Sequence, residues 1–161
     1  MPVTSVSHDL DTLTLVMNAE FAAPAERIWA IYADARQLEK VWGPPSYPAT
    51  FVSHELKPET RSTYVMTGPE GDQHAGYFLI THVDEDAKTF SFDDGFCDLD
   101  FNPLPDMPVS HNVFSFTEVD GVTHASFVGT YESADALQQS LDMGMVEGAT
   151  EATNQIDQLV A

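Results

Sequence analysis

Three features of the sequence predict an α+β fold. Apolar residues alternate with period two from Ala49 to Tyr131, they recur at helical spacing from Ser133 to the C-terminus, and two short helical stretches follow the first strand. An antiparallel sheet of about seven strands is too wide to lie flat. It is expected to curl around a long C-terminal helix, leaving a cavity wherever helix and sheet do not touch. The 161 residues suit one domain, taken as residues 1–161. A chain of this length buries roughly 70% of its extended surface, enough for a core without disulfides or metals. With 43% hydrophobic and 11% aromatic residues, it is not a disordered protein.

Thr12 to Phe21 reads as the first strand, with Leu13, Leu15 and Met17 alternating against polar neighbours. Pro24 and Glu26 then suit the first turn of a helix that places Ile28, Trp29 and Tyr32 on one face. A second short helix spans Ala35 to Val41 and is stopped by Gly43, Pro44 and Pro45. Six strands are expected near Ala49–Leu56, Arg61–Thr67, His74–Val83, Thr89–Asp93, His111–Val119 and Thr123–Tyr131. Turn residues separate them, among them Gly68-Pro69-Glu70-Gly71 and Asp120-Gly121. Asp94 to Pro108, with three prolines, reads as an irregular surface loop. Ser133 suits an N-cap, and Leu137, Leu141, Met145, Ala149, Ala152, Ile156 and Leu159 follow at helical spacing. Gly144 and Gly148 predict a kink there, or a main helix that starts near Met143.

Charge narrows the partners. There are 26 acidic residues against 6 basic ones, a formal charge of -20, which repels phosphate backbones and anionic membrane surfaces. Nucleic acid and membrane are therefore not expected as partners; salt adaptation would give the same imbalance. The single cysteine, Cys97, allows no internal disulfide and fits a reducing compartment. No basic residue precedes Arg27, and the longest strongly hydrophobic run is Tyr77 to Ile80. A cytoplasmic location is expected.

Strand parity indicates which side chains face the cavity. The inward sets are Val52, His54 and Leu56; Ser62, Tyr64 and Met66; Phe78, Ile80 and His82; and Phe90 with Phe92. Asn112, Phe114 and Phe116 follow, then Ala125, Phe127, Gly129 and Tyr131. A largely aromatic face with a few polar exceptions suits a small-molecule site, although any one of these aromatics is more often plain core than a ligand contact. Trp42, before Gly43-Pro44-Pro45, suits either a plug that anchors the helices or a wall of the cavity mouth. The candidate ligand-binding residues are Trp42, His54, Tyr64, Met66, Phe78, His82, Asn112, Phe114, Met143 and Met145.

No catalytic or metal-binding constellation is assignable. His54 and His82 have no partner visible in the sequence, and the acidic neighbours of Cys97 would raise its thiol pKa. Asp98, Asp100 and Asn102 have the spacing of a calcium loop, but Pro103 stands where that loop needs glycine and Val109 where it needs glutamate. No zinc or nucleotide motif is present, so no cofactor or metal is expected.

Several ordered segments carry a resemblance. They are Ala22-Ala23-Pro24-Ala25-Glu26-Arg27-Ile28-Trp29, Val41-Trp42-Gly43-Pro44-Pro45, Met66-Thr67-Gly68-Pro69-Glu70-Gly71, Asp94-Gly95-Phe96 and Met143-Gly144-Met145-Val146-Glu147-Gly148. Together they resemble the START-like (SRPBCC) superfamily, and within it the bacterial relatives of the C-terminal domain of the heat-shock protein 90 ATPase activator. The resemblance implies a helix-grip fold from about Thr12 to Ala161. Relatives commonly carry a Gly-Gly pair where this chain has Glu59-Thr60, residues that disfavour positive φ. Members of the superfamily bind lipids, hormones or polyketides, some cyclise polyketides, and the eukaryotic activators assist a chaperone. The expected function is a cytoplasmic binding module for a small apolar or aromatic molecule. The alternatives are a cavity enzyme of cyclase or hydrolase type using His54 or His82, and a chaperone-assisting interaction protein.

Overall fold

The computed structural model describes residues 2–161. One sheet of eight strands runs in the order β1-β2-β8-β7-β6-β5-β4-β3, with every neighbouring pair antiparallel. The strands are β1 (Val3–Asp9), β2 (Thr14–Phe21), β3 (Ala49–Ser53), β4 (Arg61–Thr67), β5 (Gln73–Asp84), β6 (Thr89–Cys97), β7 (Ser110–Val119) and β8 (Val122–Tyr131). Helices α1 (Ala25–Ala33) and α2 (Ala35–Trp42) follow β2, and α3 (Ala134–Asp142), α4 (Met145–Asn154) and α5 (Ile156–Val160) close the chain. This is an α+β, helix-grip architecture.

The sheet has one strand more than the sequence suggests. β1 carries only two half-buried valines, Val3 and Val6, and a bulge between Val3 and Ser5 breaks their alternation. Its place is set by pairing with β2 and by the Val3 N–H, which donates to Asn154 Oδ1 at 3.0 Å on α4. Two further bulges shift the predicted faces. A register shift between Phe51 and Ser53 buries Phe51 and leaves Val52 62% exposed, the reverse of the expected parity. Another between Ile80 and His82 turns His82 to solvent and brings Val83 against the core.

The stretch from Asp94 to Cys97 is strand rather than loop. Asp94 pairs with Phe78, Gly95 with Tyr77 and Phe96 with Gly76. Aspartate and glycine have low strand propensity, but here the ring of Tyr77 lies over Gly95, so close that a Cβ at Gly95 would stand 2.7 Å from it. The irregular segment begins only at Asp98, whose carboxylate accepts from the backbone N–H groups of Asp100 (2.9 Å) and Asn102 (3.0 Å). That carboxylate serves its own turn, and no cluster of potential metal ligands occurs among the described residues.

The helices divide the sheet's concave face. α1 lies over β7 and β8, where Trp29 meets Phe90 and Phe116 edge-on and Tyr32 packs among Phe90, Phe114, Phe116 and Phe127. Trp29, Phe90 and Phe116 make this end solid core, and Tyr32, Phe114 and Phe127 mark its border. The N-terminus of α1 has no cap of its own; Glu118 on β7 accepts from the Ala25 N–H at 2.9 Å. α2 is N-capped by Asp34 and seals the edge strand β3: Glu39 accepts from the Phe51 N–H at 3.0 Å and Arg36 donates to its carbonyl at 2.7 Å. Ser133 caps α3 through the Ala136 N–H. Gly144, at φ +85°, breaks α3 from α4 in a left-handed conformation that glycine adopts without strain. α4 then lies against α2 and β1.

Candidate functional site

Between the sheet and the α3–α4 arm lies a cavity of about 960 Å³. Its floor comes from inward positions of the strands, including Leu15 and Met17 on β2, Phe92 on β6, Phe114 on β7 and Phe127 on β8. Its roof is α4, with Met145, Val146, Ala149 and Ala152, and one side wall is Val41 and Trp42 of α2. Leu99, Leu104 and Met143 line it too, and each is substantially exposed, so they frame its mouth.

Of the ten residues predicted for this site, seven line the cavity: Trp42, Tyr64, Met66, Asn112, Phe114, Met143 and Met145. Trp42 is both plug and wall. Its ring lies 4.5 Å from Phe78 and 6.0 Å from Tyr64 while the rest of the half-buried indole faces the cavity. Phe78 is only 2% exposed and lies behind Trp42, as part of the core rather than the cavity wall. His82 is on the solvent side, for the reason of register already given.

His54 is also absent from the cavity. Its Nε2–H donates to the Tyr32 carbonyl at 2.6 Å, and since a carbonyl only accepts, Nδ1 is the unprotonated nitrogen that accepts from the Ser62 hydroxyl at 2.7 Å. Burial holds the imidazole below its ordinary pKa, which keeps this neutral tautomer. The histidine clasps α1 to β4.

A polar corner is centred on Asp94, which the sequence places at the start of a surface loop rather than in the site. A small side pocket is lined by Tyr64, Asp94, Ser110, Tyr131, Ser140 and Met145 among others, and all six also line the main cavity. Tyr64 reaches Asp94 by lying across Gly76; a Cβ at Gly76 would stand 2.4 Å from the phenol. Its hydroxyl donates to Asp94 Oδ1 at 3.1 Å. Burial raises the Asp94 carboxyl to about 7, with the Tyr64 hydrogen bond pulling the other way. Burial likewise pushes the Tyr64 phenol well above its usual range. Asn112 donates to Ser110 Oγ at 3.0 Å and fits beside Gly129, where a Cβ would crowd its side-chain oxygen. Free Cys97 is buried nearby, its thiol pKa raised by burial. The sequence did carry a signal for Asp94. It continues the inward parity of Phe90 and Phe92, but its run Asp93-Asp94-Gly95 imitates a turn.

Residues 22–161 match the family model for "Activator of Hsp90 ATPase homolog 1-like protein". The chain belongs to this family. The fold agrees with the crystal structure of a protein from Mycobacterium smegmatis, 66% identical, with a TM-score of 0.92 over 99% of this chain and 98% of that one. A solution structure of an Arthrobacter aurescens protein is 38% identical, with a TM-score of 0.93 over 98% and 91% of the two chains. An AHSA1 protein from Silicibacter pomeroyi, 23% identical over 90% and 95%, has a TM-score of 0.72, a likeness of fold alone. No curated protein matches the sequence. Among the described residues, no helix is long and apolar enough to cross a membrane.

A left-handed residue forms the turn before β4. Glu59 takes φ +65° although it is not glycine, with its N–H donating to the Ile80 carbonyl at 2.8 Å. That left-handed conformation costs a non-glycine residue about 1 kcal/mol.

Proposed function

We propose that this chain is a binding module that holds one small apolar or aromatic molecule between the sheet and α4. The observation that carries the reading is the cavity of about 960 Å³, with apolar floor and roof and a few convergent polar groups in one corner, the common form of a small-molecule site. Thioether side chains at Met66, Met143 and Met145 suit ligands of more than one shape. The alternative of a cavity enzyme based on His54 or His82 loses its groups, since neither reaches the cavity. We take residues 1–161 to act as one domain, and the lone, free Cys97 suits the cytoplasmic setting we assign.

Trp42 provides the test. A small aromatic ligand is expected to bind at about micromolar strength, roughly -8 kcal/mol, and to change the emission of the indole on the cavity wall. Trp29, packed in the solid end under α1, serves as internal reference. Unchanged emission across an aromatic and lipid panel, with protein shown by mass spectrometry to be folded and unoccupied, would overturn the reading.

A further inference from the structure

Asp94 presents an unbalanced carboxylate to an otherwise apolar cavity. Oδ1 accepts from Tyr64, but Oδ2 has no hydrogen-bond partner among the described residues. No side-chain nitrogen or oxygen among those residues is both sealed and unpartnered. Oδ2 therefore faces open space, and the space beside Asp94 is the cavity and its polar corner. No lysine or arginine lines that cavity; besides Asp94, Cys97 and four tyrosines, the ionisable groups on its wall are Asp98 and His74, and His74 lies 3.3 Å from Asp72. The titratable groups that feel Asp94 are Tyr64, Tyr77, Cys97 and Tyr131, none of which supplies a positive charge.

These facts discriminate between ligand classes. An anion entering the corner would meet Asp94 with nothing to offset the repulsion. A neutral apolar molecule would leave Oδ2 desolvated and unpartnered. An ammonium would supply the missing donor and charge together, and the half-buried Asp94 has already lost part of its hydration on folding. The formal charge of -20 also draws cations toward the mouth.

We propose that the cavity selects an apolar, aromatic-sized molecule bearing one amine, whose N–H donates to Asp94 Oδ2, with Tyr64 as the positioning residue that holds the carboxylate. This rests on the binding reading above. Gly76 is part of the device, because only a residue without Cβ leaves room for Tyr64 to cross β5. Burial raises the carboxyl to about 7, so an ammonium that binds below that pH displaces a proton.

Three probes of nearly one shape separate the outcomes: 1-naphthylmethylamine, 1-naphthalenemethanol and 1-naphthoate, titrated against Trp42 emission at about pH 8, where Asp94 and the amine are both charged. The amine is expected to bind at least about tenfold more tightly than the alcohol, and the carboxylate most weakly. In Asp94→Asn that preference should fall to about threefold or less while alcohol binding persists. Tyr64→Phe, which keeps the ring over Gly76, should weaken the amine selectively. Alcohol binding without any amine preference, a preference that survives Asp94→Asn, or tightest binding by naphthoate would overturn this inference and leave the binding module standing. Failure of all three probes to bind would overturn this inference, and the binding module falls with it if the aromatic and lipid panel also leaves the emission unchanged.

Discussion

Asp94 shows how one residue takes its chemistry from its neighbours. Its carboxyl would titrate near 3.8 in the unfolded chain and is raised to about 7 in the folded one, chiefly by burial. The native state therefore holds the proton more tightly. The contribution to stability is complete below about pH 3.8, is lost as pH rises toward 7, and is flat above it. Asp94→Asn is expected to remove that slope. Relative to the variant, the native protein should lose about 1–3 kcal/mol between pH 4 and 8, less than a fully dry carboxylate because Oδ2 faces the cavity. Urea denaturation of both proteins at the two pH values checks this. The exposed carboxylates with lowered pKa, at Asp34, Asp72 and Asp98, cancel in the comparison. Parallel pH profiles would mean that the carboxylate is solvated. Asp94 was hidden in the sequence because Asp and Gly in succession carry the composition of a turn, and only pairing with β5 overrides it.

At the scale of elements, the decisive division is between helices that fill the concave face and helices that span it. α1 inserts Trp29 and Tyr32 among the phenylalanines of β6, β7 and β8; Trp29, Phe90 and Phe116 fill that end, while Tyr32, Phe114 and Phe127 border the cavity. Phe116, 2% exposed, belongs to that solid end. Phe116→Ala is expected to destabilise by about 3–5 kcal/mol while the cavity keeps its lining. A denaturation shift equivalent to under about 1 kcal/mol would show that the ring is not core. The inward aromatic set was legible from alternation, since most strands hold register throughout. Its split into core and cavity was not, because it depends on where α1 lands. His82 and Val52 were misplaced by bulges, which add one residue and invert everything beyond them.

Across the whole molecule, electrostatic repulsion is the unusual term. Twenty net negative charges are offset by few ion pairs: Lys88 stands 3.9 Å from Glu26, and Arg36 pairs with Glu39 at 3.5 Å. Moderate salt should screen this repulsion and raise the melting temperature by about 2–5 °C. A flat response from low to moderate salt would show that the acidic groups are too far apart to interact. The alternating strands, the two short helices, the break at Gly144 and the charge were all determined by the sequence itself, because each follows from periodicity, turn chemistry or composition within one segment. The additional strand β1, the two misassigned faces at Val52 and His82, the place of His54 outside the cavity, and the Tyr64–Asp94 corner were decided only by tertiary structure. β1 exists because β2 and Asn154 pair with it, His54 is claimed by Tyr32 and Ser62, and Asp94 meets Tyr64 because Gly76 leaves the space between them open. Each of these is a contact between segments distant along the chain, and no local pattern encodes it.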